Sequence, residues 1–272
     1  DLDGGDVGRA AIVSRQDTSE IAIRNGAIRN WTQGGVSMSS SQQVRLTDLR
    51  VSENLSLGIS VGAGSVVTYC MAYDNSATGI SVGSRSVVTA CASHSNGSDG
   101  FSAGDASTLK HCASIVNGAS GYGIGFACTL VESTAQANNT YGVITFGFGG
   151  SITDCSIRSN GIDGIRVSEN WTVRGNNTFL NGVGNDGAGI RATGADNRIE
   201  ANHCYGNDYG LWASSAGNLI IANTARSNND SNFRVVADNV FQSITAVTGG
   251  VIAGNSGGAS IGSANYWMNF AF

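Results

Sequence analysis

Ten copies of one short pattern, spaced mostly 21 residues apart, run through nearly the whole chain. The clearest are Gly58-Ile59-Ser60-Val61-Gly62, Gly79-Ile80-Ser81-Val82-Gly83 and Gly100-Phe101-Ser102-Ala103-Gly104, each followed by an apolar pair, a cysteine and an asparagine. A unit this short cannot bury its apolar face alone, so the copies must stack on one another as a solenoid. The opening glycines fall at Gly35, Gly58, Gly79, Gly100, Gly121, Gly142, Gly164, Gly189 and Gly210, and Asn232 takes the place in the last copy. A second series, mostly four residues ahead, reads Asn54, Asn75, Asn96, Asn117, Asn138, Asn160, Asn181, Asn207 and Asn228.

Glycine and asparagine at fixed places predict turns that need left-handed or bridging dihedrals, which these residues reach at least cost. Stacked asparagines can also hydrogen-bond along the stack. Between turns the apolar residues come in β-branched bursts at period two, such as Ile80 and Val82 or Ile165 and Val167. Bursts this short leave no room for a helix. A second apolar column reads Val67, Val88, Leu109, Leu130, Ile152, Val173, Ile199 and Ile220. Each copy is therefore expected to be a coil of three short strands, stacked in parallel at about 4.8 Å.

The repeated G-I-x-V-G, the V-x-x-C-x-A-x-x-N segment from Val88 to Asn96 and the N-G-x-D-G turn from Asn160 to Gly164 resemble the right-handed parallel β-helix proteins of the pectate-lyase-like superfamily. The resemblance implies an all-β, single-domain right-handed parallel β-helix solenoid of about ten coils over residues 1–240. Residues 241–272 are expected to cap it, ending in the aromatic tail Tyr266-Trp267-Met268-Asn269-Phe270-Ala271-Phe272. The start shows no matching cap, which raises end-to-end self-association, a fibre, as one possible role. Fold alone does not set function, because this superfamily holds lyases, hydrolases, epimerases, tailspikes and adhesins.

Composition narrows the partners. Only 13% of residues are charged and the net charge is −5, which gives no reason to expect nucleic acid. No apolar run approaches the roughly 18 residues of a membrane span, so no membrane insertion is expected. Lys110 is the sole lysine among 15 basic residues. The chain opens at Asp1 with no methionine and no apolar leader, which fits a trimmed chain and an extracellular or cell-surface location. Cys70, Cys91, Cys112 and Cys155 share one coil position, continued by Ser133, Asn176, Asn202 and Asn223. Such cysteines read as buried free thiols, and no converging C-x-x-C pairs suggest zinc; no metal and no cofactor are expected.

Two columns carry candidate chemistry. One residue ahead of the cysteine position, His111, Glu132 and Asp154 fall on successive coils. Two carboxylates so close would push one pKa up and give a catalytic acid and base, at a spacing suited to a retaining glycosidase; a merely solvated corner is the plainer reading. In the C-terminal half, small outward residues give way to Arg166, Arg191, Trp212 and Arg234 on one strand, and to Arg158, Phe179, Tyr205 and Arg226 two residues before the asparagine. Aromatic faces stack on sugars and arginine forks pair with carboxylate or sulfate, as an acidic polysaccharide site requires. The plainer reading here is a face kept soluble. The stretches Gly182 to Ala188 and Phe146-Gly147-Phe148 are expected to project as loops.

Proline-containing lyase motifs cannot occur in a chain with no proline. The paired aspartates with Gly-His-Gly, the Asp-Pro-His-Glu of the alginate epimerases and the calcium-binding G-G-x-G-x-D repeat are absent as well. The leading expectation is a non-catalytic rod, structural or polysaccharide-binding. The rival is a polysaccharide lyase or glycosidase using Glu132 and Asp154, assisted by His111 or Lys110.

Overall fold

The computed structural model describes residues 2–5, 10–14, 19–182, 184, 186–241, 244–246, 252–253 and 269–271. The chain winds as a parallel β-solenoid of about 11 coils, and no helix occurs among the described residues. Each coil contributes three strands, illustrated by Ile80–Val82, Val87–Thr89 and Ala92–His94. Equivalent strands stack into three parallel ladders, here called first, second and third in chain order. Pairings such as Ile80↔Phe101, Val87↔Thr108 and Ala92↔Ala113 hold the 21-residue register. Two 8-residue strands, Ala22–Arg29 and Arg45–Ser52, run through the corner between the second and third ladders and join them into one sheet.

The core is a set of columns. Ile59, Ile80, Phe101, Tyr122 and Val143 from the first ladder meet Val67, Val88, Leu109 and Leu130 from the second, all essentially fully buried. The third ladder contributes smaller side chains, Ala72, Ser93, Ser114 and Ala135. Period-two alternation explains which residues face in, and the parallel register stacks like on like.

The corners differ from expectation in an instructive way. The left-handed residue is not the asparagine but its predecessor: Asp74, Ser95, Val116, Ala137 and Leu180 all have φ between 53° and 56°. Tyr69, Ala90, His111, Glu132 and Asp154 hold the same conformation at the second corner, with φ from 48° to 55°. Asparagine follows because it is buried and must serve the backbone. The amide N–H of Asn96 donates to Asn117 Oδ1 at 3.1 Å, and Asn96 Nδ2 donates to the same oxygen at 3.0 Å. The second corner uses the same device with other atoms. There Cys112 N–H donates to Ser133 Oγ at 3.1 Å and Cys155 N–H to Asn176 Oδ1 at 3.0 Å. The ladder reaches Asn269, which accepts from Asn223 N–H at 2.8 Å.

The opening glycines are also explained by space, not dihedral freedom. A Cβ on Gly100 would collide with Ser114 Oγ and lie 2.7 Å from Asn117 Nδ2. The chain passes so close to the third ladder and the asparagine amide that no side chain fits.

All six cysteines are buried with free thiols. Burial pushes Cys112 up to about 11 and Cys155 up to about 12. Most of the predicted capping segment, including Tyr266, Trp267 and Phe272, lies outside the described residues. Its strand Asn269–Ala271 pairs in parallel with Thr224–Arg226 and Ile244–Ala246.

Candidate functional site

His111, Glu132 and Asp154 do stand on successive coils, at the left-handed corner that points side chains into solvent. Glu132 Oε2 lies 2.6 Å from His111 Nε2 and 3.2 Å from Lys110 Nζ. The hydrogen bond from Lys110, with the one from His111, holds the Glu132 carboxyl below its usual range. That is the opposite of the upward push a shared-proton carboxylate pair would give. Asp154 turns the other way and lies against Gly175, where a Cβ would strike its Oδ1. The corner thus brings together Lys110, His111 and Glu132, with Asp154 directed to the next coil.

The arginine column is continuous. Ile144↔Arg166, Arg166↔Arg191, Arg191↔Trp212 and Trp212↔Arg234 are consecutive partners on the outward face of the first ladder. The Arg191 guanidinium carbon lies 3.9 Å from the Trp212 ring centre and that of Arg234 lies 4.1 Å from it. Both faces of the indole are therefore covered by cations, and Trp212 offers no face to a sugar. Tyr205 is closed in the same manner, stacked on Phe179 at 5.1 Å and under Arg226 at 4.8 Å. The predicted aromatic platforms instead act as spacers that hold guanidinium groups flat and fixed.

Beneath this column sits a carboxylate that the repeat pattern does not single out. Asp163 is fully buried. Its Oδ1 accepts the Ala188 N–H at 2.8 Å and lies 3.2 Å from Arg191 Nε. Its Oδ2 lies 4.0 Å from Arg166 Nη1. Burial raises its pKa, against the lowering pull of the Ala188 N–H and the two arginines. Asp163 Oδ2 and Arg191 Nε are both buried without an aligned hydrogen bond, so the pair is held by charge and not by hydrogen-bond geometry. Arg166 adds a bond to Tyr141 Oη at 2.7 Å, and Arg234 lies over Tyr209 at 5.0 Å. The signal that could have found Asp163 was its place in N-G-x-D-G, which read only as a turn.

Arg158, Tyr205 and Arg226 belong to the third ladder, on the other side of the asparagine corner. Arg158 donates to Gln136 Oε1 at 2.6 Å. The predicted ligand residues therefore form two columns on neighbouring faces: Arg166, Arg191, Trp212 and Arg234 pair in succession on the first ladder, and Arg158, Tyr205 and Arg226 are joined through Phe179 on the third.

The family described as "Right handed beta helix region" matches residues 6–147, more than half of the chain. The chain belongs to the right-handed β-helix family. This β-helix is also similar to solved structures. The A-module of the mannuronan C-5 epimerase AlgE6 of Azotobacter vinelandii aligns over 91% of this chain and 75% of its own, at 14% identity and a TM-score of 0.68. The A-module of AlgE4, a mannuronan C-5 epimerase of the same organism, aligns over 76% and 74%, at 15% identity and a TM-score of 0.55. At such identities the likeness concerns the fold. No curated protein matches the sequence of this β-helix.

Proposed function

We propose that the protein is a non-catalytic, extracellular or cell-surface β-helix rod that binds an acidic polysaccharide along the outward face of its first ladder. The observation that carries this reading is the Arg191–Trp212–Arg234 stack set over buried Asp163. Guanidinium groups held flat by an indole lose little rotamer freedom on binding, and their remaining N–H donors suit carboxylate or sulfate. Arg166 extends the row, while Arg158, Tyr205 and Arg226 flank it across the corner. The fold neighbours, named for action on mannuronan, support a polysaccharide partner. Their names alone do not carry catalysis to this chain, and the ion-paired Glu132 suits an exposed charge better than a general acid.

Titration calorimetry with uronate and sulfated polysaccharides tests the reading. Arg191→Ala with Arg234→Ala is expected to weaken binding at least about tenfold, since a charged hydrogen bond contributes about 1.5–3 kcal/mol. Unchanged affinity in that variant overturns the assignment. Release of reducing or unsaturated ends, abolished by Glu132→Gln, would overturn the non-catalytic part.

A further inference from the structure

Resting on the acidic-polysaccharide reading, we propose that the groove beside Phe146 and Phe148 takes an uncharged sugar residue of the same polymer. The preferred ligand is then an acidic heteropolysaccharide, not a polymer of one uronic acid.

Three phenylalanines stand in solvent here: Phe146 is 70% exposed, Phe148 58% and Phe126 42%. In the row of Phe146 the other coils carry glycine or a small polar residue, as at Gly83, Gly104, Ser168 and Thr193. The exposed rings are held in place. Phe126 and Phe148 stack with centres 5.7 Å apart. Phe146 leans over Gly123, where a Cβ would come within 2.9 Å of its ring. Between them the Gly147 carbonyl accepts hydrogen bonds from Trp171 Nε1 at 2.9 Å and from Ser168 Oγ. Trp171 itself is fully buried. A loop pinned to the core that still presents aromatic rings to water is pre-organised for a ligand.

The groove holds about 280 Å³ and is lined by Phe146–Phe148, Ser168, Glu169, Thr193 and Gly194. That volume lies just below the usual range of small-molecule sites and suits a single ring. Among the described residues no lysine or arginine lines it, and Glu169 is exposed at its rim. An anionic sugar would be repelled, whereas sugar hydroxyl groups can donate to Glu169 and to the oxygens of Ser168 and Thr193, whose own hydrogens go to the Gly147 and Val167 carbonyls. The C–H face of a pyranose packs on a phenylalanine ring.

The groove is continuous with the arginine column. Ser168 and Thr193 lie two residues beyond Arg166 and Arg191, each one residue past the end of its first-ladder strand, so the groove adjoins the end of the arginine column. Two residues of chain span at most about 7 Å. One polymer can thus lay an acidic residue on the guanidinium row and an uncharged neighbour on the phenylalanine shelf.

The test compares a homopolymeric polyuronate with a panel of polysaccharides in which a uronate alternates with uncharged sugars, by calorimetry on the whole chain. The alternating polymer is expected to bind at least about tenfold tighter. Phe146→Ala with Phe148→Ala is expected to remove that advantage and leave polyuronate affinity unchanged, while Phe146→Tyr retains it. Equal wild-type affinity for both classes overturns the neutral-sugar subsite alone. So does a phenylalanine double variant that weakens both equally, or neither. Failure of the wild type to bind any acidic polymer overturns the underlying reading as well. If that failure comes with concentration-dependent light scattering abolished by Phe146→Ala, the shelf is a contact between copies of this chain instead.

Discussion

At most inward corners of the coil one buried side chain accepts the N–H of the coil before it. Serine, cysteine and asparagine all do this, but only asparagine also donates through an amide. Asn117 Nδ2 reaches Ser93 O at 3.2 Å, Ser114 Oγ at 3.0 Å and Asn138 Oδ1 at 2.9 Å. The unusual backbone belongs to the preceding residue, which is why Val116 and Leu180 can occupy left-handed positions that ordinarily cost about 1–2 kcal/mol. The ladder over-determines the corner, so the local residue need not favour it. Asn117→Ala leaves the Asn96 N–H without its acceptor in the interior. It is expected to lower stability by about 1–3 kcal/mol, the cost of one buried unsatisfied group. Denaturant unfolding measures this, and Asn117→Ser, which restores an acceptor, is expected to fall between the two. A loss below about 0.5 kcal/mol for the alanine variant would mean that water serves this group and the ladder is not what holds the corner. Spacing revealed the asparagine column at once. It could not reveal the left-handed column, because Ala137, Val116 and Leu180 carry no dihedral signature of their own.

The strand is the next scale, and here side-chain volume decides. Each first-ladder strand enters the coil beside the third-ladder column and the asparagine amide, and the opening glycine is the gap through which the backbone passes. Gly100→Ala is expected to cost about 3 kcal/mol, at the upper end of overpacking, because the colliding partners are a bonded hydroxyl, a ladder amide and the Gly121 carbonyl oxygen. Ser114→Ala removes only one of the three, so the double variant should recover part of the loss. Thermal unfolding of both checks this, and a neutral Gly100→Ala would show that the close approach relaxes freely. The outward face was legible to the same depth. Period-two counting placed Arg166, Arg191, Trp212 and Arg234 in one column, and their mutual pairing agrees. What counting could not supply was side-chain direction. The covered indole faces, the turn of Asp154 away from Glu132 and the burial of Asp163 all depend on rotamers, which a repeat pattern does not encode.

Over the whole molecule, stability and register form a one-dimensional problem. Every coil pairs only with its neighbours, so total stability is close to a sum of coil and interface terms. Removal of one complete repeat should then leave a shorter but otherwise unaltered rod. Deleting residues 92–112 joins Cys91 to Ala113, and Ala113–Ile115 inherits the pairing of Ala92–His94 with Met71–Tyr73 in the same register. Tyr122–Ile124 likewise takes the place of Phe101–Ala103 over Ile80–Val82. At about 0.05–0.15 kcal/mol per residue the lost coil should cost roughly 1–3 kcal/mol. The corresponding fall in Tm is only a few degrees, with a single cooperative transition retained. Deleting residues 92–111 instead removes one residue fewer and leaves an odd residue at the join. The next strand would turn its inward residues to solvent, and the buried corner acceptor would no longer meet the N–H before it. That variant is expected to aggregate or unfold. Circular dichroism and scanning calorimetry on the two deletions separate a register-locked stack from a compliant one, because only the locked stack distinguishes deletions that differ by a single residue. Equal behaviour of the two would show that the 21-residue spacing is tolerated by the coil and not imposed by it.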